Sequence, residues 1–296
     1  MFKALNSIIE NEIKEPKLDF YSVIIGTNPS KGARSPKLWN KVYEFEKKKI
    51  QMLPLDVTEE NLEKLFNYLK QDRQCLGGAV AVPYKEKIFN LVKDNLGEEI
   101  KTIGAINCFY RLNHSILNNE FTGTNTDGEA ALESISALLN KNENLSICLL
   151  GFGGAGKAIL SFLLKEFKQK HRIKVFNRSA LNMKDSIKLE LEIYPLGDLH
   201  AHISQCDILI NATSLGHKEN MNTTPVASTL LKNAKKTLII FDIIYDPIKT
   251  PLLANSKELG LRTINGLRMN LIQAVLAYSY TNSTSLPKEE IYKVMS

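Results

Sequence analysis

Short continuous apolar runs alternate along this chain with stretches in which apolar residues recur at helical spacing. Residues 20–25, 50–55 and 78–82 read as strands, and residues 37–48 and 59–70 as helices, because apolar runs of four to eight residues suit buried strands while i, i+3, i+4 spacing suits a helix with one buried face. The opening part is therefore an α/β domain in its own right. Residues 105–111 and 115–121 flank Leu112-Asn113-His114 and predict a β-hairpin, after which Gly123-Thr124-Asn125-Thr126-Asp127-Gly128 opens a helix. The crossover between domains is placed there.

The apolar run Ser146-Ile147-Cys148-Leu149-Leu150 feeds directly into Gly151-Phe152-Gly153-Gly154-Ala155-Gly156, and residues 158–167 continue at helical spacing. A buried parallel strand, a tight glycine turn and a helix whose first amides face outward form a seat for a dinucleotide pyrophosphate, assigned to Gly151, Gly153, Gly154, Ala155 and Gly156. A second strand, Arg172-Ile173-Lys174-Val175-Phe176, closes a βαβ unit of the expected length. The competing reading is a glycine-rich βα turn with no ligand. At the end of that strand an NAD site usually carries an acid, whereas this chain has Asn177-Arg178-Ser179 and no acid before Asp185. Arg178 offers a permanently charged planar fork to a 2′-phosphate, and Lys184 could add a second charge, which favours NADP. The competing reading of Arg178 is a solvated strand-end charge. Further strands are expected at 207–210, 237–241 and 261–264, and helices at 266–280 and 287–295. The expected domains are 1–125, joined by 266–296, and 126–265.

The 296 residues suit two domains of ordinary size, and 44% hydrophobic with 24% charged residues is the balance of a soluble globular protein. The formal charge of +6 is spread along the chain, with only the short runs Lys47-Lys48-Lys49 and Lys235-Lys236. That pattern argues against a nucleic-acid face and for an acidic or phosphorylated small molecule. No apolar run reaches membrane-spanning length, and the amphipathic N-terminus does not read as a signal peptide, so a cytoplasmic protein with no membrane partner is expected. Cys75, Cys108, Cys148 and Cys206 are isolated in or beside apolar stretches and read as buried thiols. His200-Ala201-His202 would present two imidazoles on one face only in a strand, and a helix is the expectation there, so no metal site is assigned.

The nucleotide unit is flanked by an ordered set of short motifs. They are Ser35-Pro36 with Asn40, Val82-Pro83-Tyr84-Lys85-Glu86, Gly104-Ala105-Ile106-Asn107, Gly123-Thr124-Asn125-Thr126-Asp127-Gly128, Asn177-Arg178-Ser179, Asn211-Ala212-Thr213-Ser214-Leu215-Gly216, Asp242-Ile243-Ile244-Tyr245-Asp246-Pro247 with Thr250-Pro251-Leu252, and Gly266 with Gln273. From Gly26 to Gln273 the set resembles the shikimate dehydrogenase family. The resemblance implies an α/β protein with an N-terminal α/β substrate domain, a Rossmann-type dinucleotide-binding domain and an active-site cleft between them. It implies reversible NADPH-dependent reduction of 3-dehydroshikimate to shikimate in aromatic amino-acid (chorismate) biosynthesis, by a monomer or homodimer. It assigns Lys85 and Asp127 as the catalytic pair, Ser35, Asn107, Tyr245 and Gln273 to a cyclic polyol carboxylate substrate, and Thr213 and Gly266 to the cofactor. Such chemistry suits the residues, since negative charge develops on the ketone oxygen and a lysine ammonium can stabilise it and deliver the proton. Without the resemblance, Lys85 and Asp127 read as an ordinary surface ion pair, Asn107 as a hairpin residue, Gln273 as a polar helix position and Tyr245 as a packing aromatic.

The chain departs from the family pattern at the substrate. Ala33-Arg34-Ser35-Pro36 stands where the family has Ser-x-Ser-Pro, Ala79-Val80-Ala81-Val82-Pro83 replaces Asn-Val-Thr-Val-Pro, and Trp39 replaces a histidine before Asn40. Each buried polar group left without its partner costs about 1 to 3 kcal/mol, so the carboxylate grip is weakened unless Lys31 or Arg34 compensates. The alternatives are a paralogue acting on quinate or another carboxylated or aminated cyclic polyol, and a nucleotide-binding sensor without turnover.

Overall fold

Two β-sheets organise the chain, one in each of two compact units, Met1–Thr126 with Leu271–Ser296, and Asp127–Asn270. The computed structural model describes residues 2–14, 17–117, 119–136, 144–167, 171–180, 191–217 and 220–296. Lys184 and Asp185, weighed above for the cofactor, lie outside the described residues.

In the first unit, strands β1 (Phe20–Gly26), β2 (Ile50–Asp56), β3 (Cys75–Val80), β4 (Cys108–Arg111) and β5 (Phe121–Thr124) form one sheet in the order β2-β1-β3-β4-β5. The first three run parallel, while β4 and β5 are antiparallel additions. Both faces of the parallel part are buried, which is why these strands read as continuous apolar runs. One face packs on Leu62, Leu65, Phe66 and Leu69 of the helix Glu59–Gln71. The other packs on Leu38, Trp39, Val42 and Tyr43 of the helix Ser35–Phe45 and on Ala274 and Tyr278 of the helix Leu267–Thr281.

The second unit carries a wholly parallel sheet of β6 (Ser146–Leu150), β7 (Arg172–Asn177), β8 (Glu192–Pro195), β9 (Ile208–Asn211), β10 (Ile239–Asp242) and β11 (Arg262–Ile264). Its order is β11-β10-β9-β6-β7-β8, a doubly wound arrangement in which the strand order reverses at β6. The helix Gly154–Phe167 follows β6, and the helix Asp127–Ile135 lies against it at a crossing where a Cβ on Gly128 would overlap Phe162 and the Ala158 carbonyl. No helix among the described residues is long and apolar enough to cross a membrane.

The structure shifts several expected elements. The expected hairpin strand at 115–121 is displaced: β4 pairs with β5 so that Arg111 faces Phe121 and Cys108 faces Thr124. Aromatic packing sets this register. Phe121 is fully buried against Phe66 and Phe109, and the Arg111 guanidinium lies 4.4 Å from its ring while donating to the carbonyls of Leu69, Lys70 and Cys75. The next helix starts at Asp127, because the Asn125 side chain and the Thr126 amide are already engaged, donating to Ala105 O and Asn107 Oδ1. Residues 196–201, around the two histidines, form a 3-10 helix, and His202 Nδ1 contacts Lys174 Nζ at 3.0 Å. Strand β8 was not expected from the pattern. All four cysteines are free and buried, and burial pushes the Cys75 and Cys108 thiols up to about 12.

Candidate active site

Each unit gathers its polar residues at the carboxyl edge of its parallel strands, where loop backbones leave the sheet and ligands can reach them. In the second unit β6 ends in the glycine turn. Gly151 has a φ of +93, accepts no Cβ without meeting the Ala212 carbonyl at 2.9 Å and Thr213 Cγ2 at 3.0 Å, and donates its amide to Phe176 O at 2.8 Å. A Cβ at Gly156 would overlap the Gly151 carbonyl, so the turn and the first helical residues are pressed together. At Gly153 nothing lies within 4 Å of a Cβ position, which leaves the outer side of the turn open. Closed packing behind, open backbone in front and the start of a 14-residue helix at Gly154 and Ala155 fit a dinucleotide pyrophosphate. Asn177 ends the neighbouring strand β7, and Arg178 and Ser179 stand exposed in the turn beyond it.

A buried polar network knits the next two loops to this edge. Asn211, last residue of β9, accepts at Oδ1 from the Thr213 amide at 3.0 Å and the Thr213 hydroxyl at 2.7 Å. Its Nδ2 donates to Asp242 Oδ1 at 3.0 Å. Asp242, the last residue of β10 and 0% exposed, also accepts from the Ile244 amide at 3.2 Å and from Thr250 Oγ1 at 2.6 Å. Burial pushes the Asp242 carboxyl up to about 6, against the opposing effect of the Thr250, Ile244 and Asn211 donors. Tyr245 follows on the same loop, half-buried. Gly266 is required where it stands: its amide donates to Ile244 O at 3.0 Å, and a Cβ would overlap the Ile243 carbonyl.

In the first unit Ser35 is the buried first residue of the helix Ser35–Phe45. The 3-10 turn Pro29–Lys31 before it is anchored by Asp56, whose carboxylate accepts from the Ser30 amide at 2.8 Å and from the Ser30 hydroxyl. Trp39 Nε1 donates to Ala274 O at 3.1 Å, which ties this helix to the one bearing Gln273. Lys85 opens the helix Lys85–Val92 half-buried, and its carbonyl accepts from the Ile106 amide at 3.0 Å. Asn107 and Gln273 come together around Thr126. Asn107 Nδ2 donates to Thr126 Oγ1 at 2.9 Å and lies 3.4 Å from Gln273 Oε1, the Thr126 amide donates to Asn107 Oδ1 at 2.9 Å, and Thr126 Oγ1 donates to the Gln273 carbonyl at 3.1 Å. Asp127 opens the first helix of the second unit, 5% exposed.

Sequence reasoning singled out Asn107 and Gln273 but missed Thr126, which joins them, and it missed the roles of Asp242, Asn211 and Asp56. Thr126, Asn211 and Asp242 do lie inside the quoted motifs. Ala33 and Ala81 pack against the apolar cluster that contains Trp39 and Ala79, so the four departures from the family pattern share one cluster. Among the described residues no cluster of His, Cys, Asp and Glu could hold a metal ion.

The family model for the shikimate dehydrogenase substrate binding domain matches residues 24–109, and that for shikimate / quinate 5-dehydrogenase matches residues 133–264. The chain is 32% identical to the shikimate dehydrogenase (NADP(+)) of Methanococcus vannielii over 294 residues, covering 94% of this chain and 99% of that protein. It is 31% identical over 277 residues to the shikimate dehydrogenase (NADP(+)) of Streptococcus gordonii, covering 90% and 93%. Among solved structures, the shikimate dehydrogenase of Aquifex aeolicus superposes with a TM-score of 0.78 at 28% identity, covering 95% of this chain and 99% of that one.

Proposed function

This chain belongs to the shikimate dehydrogenase family, and on that premise we propose that it is an NADP-dependent oxidoreductase that interconverts 3-dehydroshikimate and shikimate. The observation that carries the activity is the 32% identity to an NADP-dependent shikimate dehydrogenase over 94% of this chain, and this chain's own glycine turn and Asn107–Gln273 cluster support it. The bound nucleotide supplies the hydride. What this chain supplies is position and charge. The amides of the glycine turn hold the pyrophosphate, Asn177, Arg178 and Ser179 take the 2′-phosphate end, and Thr213 and Gly266 form the backbone against which the nicotinamide end rests. Asn107 and Gln273 bind the polyol, with Ser35 and Tyr245 at its carboxylate. Lys85 stabilises the oxyanion and delivers the proton, and the Asp127 carboxylate orients the substrate hydroxyl. The enzyme works in the cytoplasm as a monomer or homodimer.

A second reading has one observation in its favour. Ala33, Ala79, Ala81 and Trp39 fall in one apolar cluster beside Ser35, which suits a paralogue whose cyclic polyol differs from shikimate at the carboxylate end. Purified protein incubated with NADP⁺ and, separately, shikimate, quinate and their amino analogues tests both. NADPH formation with shikimate supports the first reading, formation with another polyol alone supports the second, and none with any of them overturns the activity.

A further inference from the structure

We propose that Asp242 is a positioning residue, whose ionised carboxylate holds the loops 212–216 and 243–250 in their binding arrangement through Asn211, the Ile244 amide and Thr250. An ionised carboxylate can only accept hydrogen bonds. All three groups that face Asp242 donate to it: Asn211 Nδ2, the Ile244 amide and the Thr250 hydroxyl. None of them titrates or carries charge, and the influences on its ionisation are burial and these same three donors. The Asn211 amide is nearly symmetric in shape, so its neighbours decide which end points where. With Nδ2 committed to the carboxylate, Oδ1 is left to take both the amide and the hydroxyl of Thr213. The Ile244 amide fixes the backbone one residue before Tyr245, and Thr250 closes the far end of that loop as the N-cap of the helix Pro251–Glu258.

Stability does not account for an ionised group here. Burial pushes this carboxyl up to about 6, so ionising it costs more in the folded protein than in the unfolded chain. A charge that works against folding yet sits at the hub of two binding loops is explained by what it does to those loops. The inference rests on the NADP reading of loop 212–216.

Amide hydrogen exchange in cofactor-free protein is the primary test, because it is read without nucleotide and avoids the cofactor's own phosphate titration. In the wild type the protection factors of the Thr213 and Ile244 amides should fall as pH drops through about 6. In Asp242→Asn they should be about tenfold lower and independent of pH, NADP should bind about tenfold more weakly, and the unfolding temperature at pH 7 should be equal or higher. Thr250→Val removes a donor that favours the ionised form, so the pH midpoint of protection should rise, and Thr250→Ser should restore it. The proposal is overturned if Asp242→Asn keeps wild-type protection, if it lowers protection evenly across the unit together with the unfolding temperature, or if Thr250→Val leaves the midpoint in place. Wild-type protein that binds no NADP would sink the functional reading while leaving the exchange result to decide this one.

Discussion

Thr126→Val keeps the shape of a side chain 1% exposed and removes one hydroxyl from between Asn107 and Gln273. That oxygen accepts from Asn107 Nδ2 at 2.9 Å and donates to the Gln273 carbonyl at 3.1 Å. A net hydrogen bond is worth about 1 kcal/mol, and a buried group that loses its partner costs about 1 to 3 kcal/mol. Two such losses set the expected destabilisation at about 2 to 4 kcal/mol, or roughly 4 to 15 °C in the unfolding transition of the first unit. The Asn107 amide then loses a constraint on its orientation, so the KM for shikimate should rise by about tenfold. The NADP dissociation constant should not move, because the proposed cofactor residues all belong to the second unit. Thr126→Ser should recover most of both losses. Thermal unfolding, steady-state kinetics and a cofactor titration on the two variants are the assay. A Thr126→Val protein with lowered stability and an unchanged KM would show that the cluster is a packing device and that Asn107 does not bind the substrate.

Lys85→Ala should lower kcat by about 100-fold or more with NADP affinity intact; kinetics and a titration on the same preparation check it. Arg178→Ala should erase most of the preference for NADP over NAD through loss of a charge-assisted contact of about 1.5 to 3 kcal/mol, and equal affinities in the wild type would reject the assignment. Gly156→Ala forces a methyl into the Gly151 carbonyl and should weaken NADP binding by more than about tenfold, measured by fluorescence titration. Asp242 has its carboxyl raised to about 6 from 3.8, so the folded state holds its proton where the unfolded chain has lost it. Its contribution to stability is therefore greatest below about pH 4 and declines as pH rises to about 6, by about 3 kcal/mol in all. Unfolding free energies of wild type and Asp242→Asn across that range should diverge in that sense.

Legibility from sequence followed the range of the interactions involved. The glycine turn could be read because its evidence is local: an apolar strand, a required positive φ at Gly151 and a helix start lie within a few residues of one another. The register of β4 and β5 could not, since it is set by Phe66, Phe109 and Arg111 closing around Phe121 and leaves no periodic trace in residues 115–120. Strand β8 escaped for a related reason. It is a four-residue edge strand, Glu-Ile-Tyr-Pro, too short to alternate and held by pairing with β7 and by Tyr194 stacked on Phe176. The polar residues divide the same way. Lys85, Asn107 and Asp127 were visible as motif members, but that Thr126 joins Asn107 to a residue 166 positions away is a property of the folded unit alone. Asp242 shows the limit most clearly. Its letter opens a motif at the end of an apolar run, but its meaning comes from three donors supplied by β9, its own loop and the cap of the next helix. A carboxylate buried among donors is stabilised by each of them and disfavoured by burial itself, and here burial wins. The strand edge therefore keeps a group that opposes folding at the place where two loops must be held still, the kind of local conflict expected where a fold has been shaped for binding.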